Sequence, residues 1–454
     1  MNVKVISSEE EARNLFQTLN SDTPTVFFVI PVFSDPKAHL AFNTLSVLFV
    51  IGDNDLYVLG FNHNETPNLP ISILNGISPQ KKILTPSKRD LMYVLKNVPQ
   101  KLIVDVLAEE YHLHGKVPAL EEFYPKMVVE SQQRFRVFQN INRSVPLMKL
   151  VEYIQNFLEY IPRNIDFMKC FSLLEVYCPE VQEIIIPTLQ YIEKNGLFVN
   201  KEKLEKFFGE KSLNLVKNGF LYSQYHPLTS TGRPSNSFGG INFGALNKHD
   251  GSRSAFVSRY EGGRLILFDF ESFHLRLMAD LVGIPQPSEP FHEYLAKIYL
   301  GVQQVTQNQY DEGKQRTFSY LYGERRPESP IAFFDNIYKW QEDFWKEAQF
   351  KGNFTTRLGR TIRLEDVETP SKEKIFNYYM QSLEAYESIK TIQECIPIFD
   401  KTNIKPILYI YDSILLDVDG GHEEEIHSIR EILSQKFPVR QYEGKDFHRM
   451  ELIS

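Results

Sequence analysis

Two short apolar runs, each ending on an aspartate, constrain this chain more than any other feature. RLILFDF delivers Asp269, and ILYIYDSILLDV delivers Asp412 at the tip of a predicted hairpin. Both runs read as buried strands, and a carboxylate at the mouth of a buried strand is costly unless a cation holds it. If the two strands are neighbours, their carboxylates form a site for divalent metal, and paired metals are a means of moving phosphoryl groups. The aspartates lie 143 residues apart, so local pattern alone does not bring them together, and each could simply end its own strand.

The chain has 454 residues, 42% of them hydrophobic, enough for two to four domains at roughly 100–200 residues each. Three cysteines (Cys170, Cys178, Cys395) lack metal-ligand spacing, which fits a reducing, cytoplasmic setting. The polar, acidic start MNVKVISSEEEARNLF is not a secretory signal. No apolar run reaches the ~18–20 residues of a membrane span, so no membrane partner is expected. The net charge of −8 argues against a nucleic-acid binder. The stretch KGNFTTRLGRTIR runs against that sum: Lys351, Arg357, Arg360 and Arg363 stand in it without an acid and could track phosphates or form a solvated basic loop.

The first ~170 residues read as α/β. TVFFVI, TLSVLFVIG and DLYVLGF predict strands, with a turn at Asp53-Asn54, and SKRDLMYVLKNV and KLIVDVLAEEYHL predict helices. An amphipathic helix is expected over about 180–195, stopped by Gly196, with Asn200 capping the next. A Ser-, Gly- and Asn-rich loop with Arg233 at its centre follows. After RLILFDF, helices are predicted at about 272–283, 291–300, 308–322, 332–350 and 371–395. The ILYIYDSILLDV hairpin should turn at Asp412-Ser413, followed by a helix near 422–435 and a strand at PVRQYEG. Within QYDEGKQRTFSYLYG, Lys314, Phe318 and Tyr322 recur every fourth residue and so share one helix face. That face suits a triphosphate beside a sugar and base, and equally suits a buried aromatic stripe with one snorkelling lysine.

Eight segments, in order, resemble the motifs of family A DNA polymerases, the DNA polymerase I family. IIIPTLQYIEKNGLFVN resembles the stretch that opens the thumb, and HPLTSTGRPSNSFGGIN the thumb-to-palm segment. RSAFV resembles the R-x-A-F element, LFDFESFHLRLMADL motif A, and KQRTFSYLYG the end of motif B. RLGRTIRL resembles the T-x-x-GR-R-x-L-P segment, NYYMQS the N-x-P-x-QG element, and YIYDSILLDV motif C. The matches span about residues 180–450.

The resemblance implies an α/β (α+β) fold: a right-hand polymerase of palm, fingers and short thumb behind an RNase H-like exonuclease-type domain. The implied boundaries are 1–175 for that domain, 176–225 for the thumb, 226–290 for the palm with motif A, 291–350 for the fingers and 351–454 for the palm with motif C. It implies template-directed addition of dNTPs to primer–template DNA. Asp269 and Asp412, with the Phe270 carbonyl, would hold two Mg²⁺, Mn²⁺ being the alternative. Arg253, His274, Lys314, Phe318 and Tyr322 would meet the incoming nucleotide. Arg233, Asn242, Arg357, Arg360, Asn377, Gln381 and Tyr411 would meet the DNA.

The chain also departs from the family. His274 replaces the glutamate that screens the sugar edge, Ser413 the second acid of motif C, Tyr411 the histidine before Asp412, Tyr310 the first arginine of motif B, and Glu373 an arginine before Asn377. The thumb segment is short, which implies low processivity or a processivity partner. In the first domain Asp90 aligns with one exonuclease carboxylate. The Asp-x-Glu of the first strand is missing, however, and Lys169-Cys170 stand where the last acid belongs. An inactive exonuclease scaffold is therefore expected, with Asp35 and Asp105 as the only candidates to supply the missing acids. Short thumb and absent proofreading together resemble a phage-type enzyme acting in a bacterial cytoplasm. Two other readings stay open: a non-catalytic polymerase-like subunit that binds primer–template, and a ribonucleotide-using polymerase or primase.

Overall fold

The computed structural model describes residues 1–19, 27–35, 38–52, 55–115, 143–164, 178–236, 241–322 and 331–453. The Asp53-Asn54 turn and Lys169-Cys170 lie outside them. The described chain divides into two units. The first is Met1–Lys194 with Tyr222–Leu228 and Ser235–Phe243; the second is Asn195–Leu221, Thr229–Pro234 and Gly244–Ser454.

In the first unit, strands β1 (Asn2–Val5), β2 (Phe27–Phe33), β3 (Leu45–Ile51), β4 (Asp55–Gly60), β5 (Ile83–Thr85) and β6 (Ile103–Asp105) form one sheet in the order β1-β4-β3-β2-β5-β6. The pairs β2–β3 and β3–β4 are antiparallel; β2–β5, β5–β6 and β1–β4 are parallel. β3, apolar apart from Ser46, is buried from Leu45 to Val50, as expected of a strand covered on both faces. Helix α1 (Glu9–Leu19) buries Ala12, Leu15, Phe16 and Leu19, the spacing of a single helix face.

The predicted helix at KLIVDVLAEEYHL is split. Ile103 and Val104 pair with Ile83 and Leu84 as β6, and helix α3 (Val106–His114) begins only after Asp105, following α2 (Lys88–Val94). The reason is a cap: the Asp105 carboxylate accepts from the N–H groups of Leu107 and Ala108. Helix α4 (Leu147–Asn164) follows. The predicted 180–195 helix starts as a π-turn, Glu180–Ile185, ahead of Pro187, and continues as α5 (Ile186–Glu193). It ends before Gly196 at φ 62°.

The second unit opens with β7 (Leu197–Val199), which pairs with β8 (Phe220–Leu221) and β9 (Phe256–Val257). Helix α6 (Lys201–Phe208) is capped by the Asn200 side chain, which accepts from the N–H of Lys203. The central sheet has strands β10 (Arg264–Phe270), β13 (Lys405–Ile410), β14 (Ser413–Val418), β15 (Val439–Gly444) and β16 (Met450–Leu452) in the antiparallel order β13-β14-β10-β15-β16. Leu265, Ile266, Phe268, Leu408, Leu415 and Leu416 fill its core. Helix α7 (Phe273–Leu281) follows β10 and packs on α11 (Lys372–Glu394). Helices α8 (Phe291–Leu300) and α9 (Gln307–Tyr322) lie closely together. A Cβ on Gly313 would stand 2.5 Å from that of Ala296, so only glycine permits this approach. Helix α10 (Ala332–Lys351) stacks Trp340 and Phe344 near Tyr379 of α11. The basic stretch after it is a small hairpin, β11 (Asn353–Thr355) with β12 (Thr361–Arg363), and α12 (Glu423–Leu433) precedes β15.

Candidate active site

The two aspartates meet because of the register of the central sheet. Asp269, next to last on β10, pairs with Ser413 of β14 on one side and Arg440 of β15 on the other. The β13–β14 hairpin turns through Tyr411-Asp412, one residue earlier than expected, since Ile410 and Ser413 already pair. Tyr411 takes a φ of 56°, a position at which a two-residue turn normally uses glycine. The Phe270 N–H donates to the Asp412 carbonyl at 3.0 Å, lacing the hairpin tip to the end of β10.

Around this junction lies a cleft of about 360 Å³. Of the residues singled out from the sequence, Asp269, Asp412, Phe270, His274, Tyr310, Lys314, Phe318, Arg233 and Tyr411 line it. Lys248, Glu271, His292, Glu384 and Arg440 also line it and were not foreseen. Burial pushes the Asp412 carboxyl up to about 7, with the charges of Asp269 and Glu384 adding to the effect. Burial likewise raises Asp269, against the opposing charges of Lys248, Arg440 and Lys314. His292 is driven down to about 4 by burial and by Lys314, so its ring is neutral near pH 7. Its buried Nδ1 has no hydrogen-bond partner among the described residues.

Two buried carboxylates, each raising the cost of ionising its neighbour, form a donor set that suits a hard divalent cation. No group of three or more His, Cys, Asp or Glu among the described residues forms a metal cage by itself.

One wall of the cleft is a buried ionic cluster. Glu384 of α11 accepts from Nε of Arg233 at 2.7 Å and from a second nitrogen of the same guanidinium. The His274 Nε2 lies 3.4 Å from it, and the Arg233 guanidinium stacks on the Tyr411 ring at 4.5 Å. Burial opposes the Glu384 charge, but His274 and Arg233 together hold its pKa below the ordinary value. Spacing could have revealed this residue: Asn377, Gln381 and Glu384 stand at i, i+4 and i+7 on one helix face.

Arg253, Arg357, Arg360, Asn377 and Gln381 do not line the cleft. Arg253 donates to the Leu246 carbonyl at 3.0 Å and stacks on Phe447. Arg360 is buried and donates to the Ser230 carbonyl at 2.9 Å, whereas Arg357 is exposed, 3.8 Å from Asp280. Gln381 donates to Asn377 at 3.1 Å on α11. Asn242 is exposed and belongs to the first unit. Tyr322 ends α9, and its side chain is outside the described residues.

No protein-family model matches the sequence, and no curated protein matches it. Among solved structures, the chain is similar to the polymerase domain of Pol1 from M. smegmatis in complex with DNA primer-template and dNTP. The TM-score is 0.69 at 13% identity, covering 99% of each chain. The chain has the fold of a DNA polymerase domain. No described helix is long and apolar enough to cross a membrane.

Proposed function

We propose that this protein is a template-directed DNA polymerase that adds deoxynucleotides to a primer 3′-hydroxyl. The observation that carries the reading is the convergence of Asp269 and Asp412 across paired strands, in a cleft that also presents Lys314 and Phe318. Asp269, Asp412 and the Phe270 carbonyl would hold two Mg²⁺, which when bound would acidify the primer hydroxyl and neutralise charge on the leaving pyrophosphate. The chain's own groups bind and orient. Lys314 pairs with phosphate oxygens. Phe318, 46% exposed, offers a ring to the base or sugar. His274, held against Glu384, stands at the sugar edge and favours the deoxy form. Arg233, stacked on Tyr411, faces the primer end.

In this reading the central sheet is the palm, residues 291–350 the fingers and 176–225 a short thumb, so the protein alone makes short products unless a partner clamps it to DNA. The first unit is an exonuclease-type scaffold without proofreading. Its β4-β3-β2-β5-β6 order, antiparallel through β2 and parallel beyond, supports that assignment, and β2 (FFVIPVF) carries no acid. Metal-dependent 3′ trimming abolished by Asp90→Ala would overturn this part.

The deciding experiment is primer extension with dNTPs or NTPs, on wild type and Asp412→Ala. Extension with dNTPs that vanishes in the variant is expected. Unchanged extension in Asp412→Ala would sink the metal assignment, and equal use of NTPs would move the reading to a ribonucleotide-using enzyme.

A further inference from the structure

The cleft carries a guanidinium to which the proposed function has given no task. Arg440 pairs with Asp269 across β10 and β15, and residues paired this way project from the same sheet face. It lines the cleft with Lys248 and Lys314, and all three cations act on the Asp269 charge.

Its protein contacts leave it available. Glu271, 3.6 Å from Arg440, already accepts from Arg276 at 2.9 and 2.5 Å and from the Phe291 N–H at 3.2 Å. Removing Arg440 therefore leaves no carboxylate unpaired. The guanidinium is steadied instead by favourable electrostatic interaction with the hydroxyls of Tyr310 and Tyr442. Tyr310 lies one helical turn before Lys314 on α9, on the same face. Beside it stands His292, 6.1 Å from the Tyr310 ring, whose buried Nδ1 lacks a partner among the described residues.

We infer that Arg440, oriented by the Tyr310 hydroxyl, is a binding residue for the polyphosphate tail of the incoming nucleotide. Lys314 supplies a point charge, whereas the planar fork of Arg440 can take two phosphate oxygens at once. A tail lying between these cations and the Asp269–Asp412 pair would have charge of the correct sign on both sides once metal is bound. The inference rests on the polymerase reading for the identity of the nucleotide, but not for the polyphosphate.

Two measurements separate those claims. The first is equilibrium binding of inorganic tripolyphosphate with Mg²⁺ to the full chain; the second is the dNTP KM in primer extension. For Arg440→Gln, with its thermal melting compared to wild type, we expect tripolyphosphate binding to weaken about tenfold and KM to rise about tenfold, while primer–template affinity stays within about twofold. Arg440→Lys should recover part of the loss. Tyr310→Phe, which keeps the charge but removes its guide, should lose about threefold; it also serves as the readout if Arg440→Gln misfolds. Tripolyphosphate binding and KM unchanged in both Arg440→Gln and Tyr310→Phe would overturn the inference and leave the polymerase reading standing. A wild type that extends no primer, yet loses tripolyphosphate binding on Arg440→Gln, would overturn the polymerase reading and keep the polyphosphate site.

Discussion

Two buried aspartates, Asp105 in the first unit and Asp412 in the second, have carboxyls pushed up to about 7 by burial. Their surroundings could hardly differ more. Asp105 sits at the start of α3 and accepts from the N–H groups of Lys88, Leu107 and Ala108 at 2.9–3.0 Å, so the fold has spent its oxygens. Asp412 sits at a hairpin tip, next to a second acid, on a cleft bordered by cations. The nearby charges of the first unit are closed in the same way as Asp105. Glu193 accepts two bonds from Arg89, one from Tyr93 and one from the Tyr225 N–H. A raised carboxyl pKa therefore does not by itself mark a reactive site; what marks one is whether the oxygens are left for something outside the chain.

The strongest test of this contrast is functional. Asp412→Ala should abolish primer extension, by on the order of 10⁴-fold or more, with the melting temperature little changed. Asp105→Ala should do the reverse, lowering stability while extension by the folded fraction persists. If both variants failed in the same assay, the division into open and closed acids would be broken. The next largest effect belongs to a closed pair. Glu193→Gln keeps the shape but removes the counter-charge that Arg89 bonds directly, leaving the buried guanidinium only Asp90 at 3.9 Å. Denaturant unfolding should show a loss of about 3–4 kcal/mol, with no change in dNTP KM for the folded protein.

A smaller effect reads the burial energy directly. Burial pushes the Glu110 carboxyl up to about 7, so folding favours its protonated form. The stability contributed by that protonation is complete below the ordinary value near 4.5 and is lost as pH rises through about 7. Glu110→Gln removes the dependence. Relative to wild type, the variant should gain about 1–3 kcal/mol between pH 5 and pH 8. A constant difference across that range would mean that burial is not what shifts this group.

How far the molecule was legible in its sequence follows the same division. β10, the β13–β14 hairpin and the helices over 291–350 were visible because each is a local pattern of spacing, turn and cap. So was the meeting of Asp269 with Asp412, once eight ordered motifs linked two distant strands. Arg440 and Lys248 were not visible. Arg440 reaches the cleft only because β15 pairs with β10 in one register, and nothing within PVRQYEG announces that. The KLIVDVLAEEYHL segment misled because its apolar spacing fits a helix throughout, while Ile103 and Val104 are claimed by a neighbouring strand. The predicted contribution of Lys169-Cys170 falls outside the described residues.

The smallest predicted effect carries the contrast from acids to cations. Arg357 and Arg360 stand three residues apart in one basic hairpin, and the sequence treats them alike. Arg360 is buried and committed to the Ser230 carbonyl; Arg357 is 47% exposed. Only an exposed guanidinium can release counterions from DNA. Arg357→Ala should thus weaken primer–template binding by about two- to fivefold near 0.1 M salt and flatten the slope of log K against log salt by about one. Arg360→Ala should leave that slope unaltered and lower stability by about 1–3 kcal/mol instead. A salt titration of the two variants side by side decides it, because a flattened slope in Arg360→Ala would show that the buried arginine reaches DNA after all.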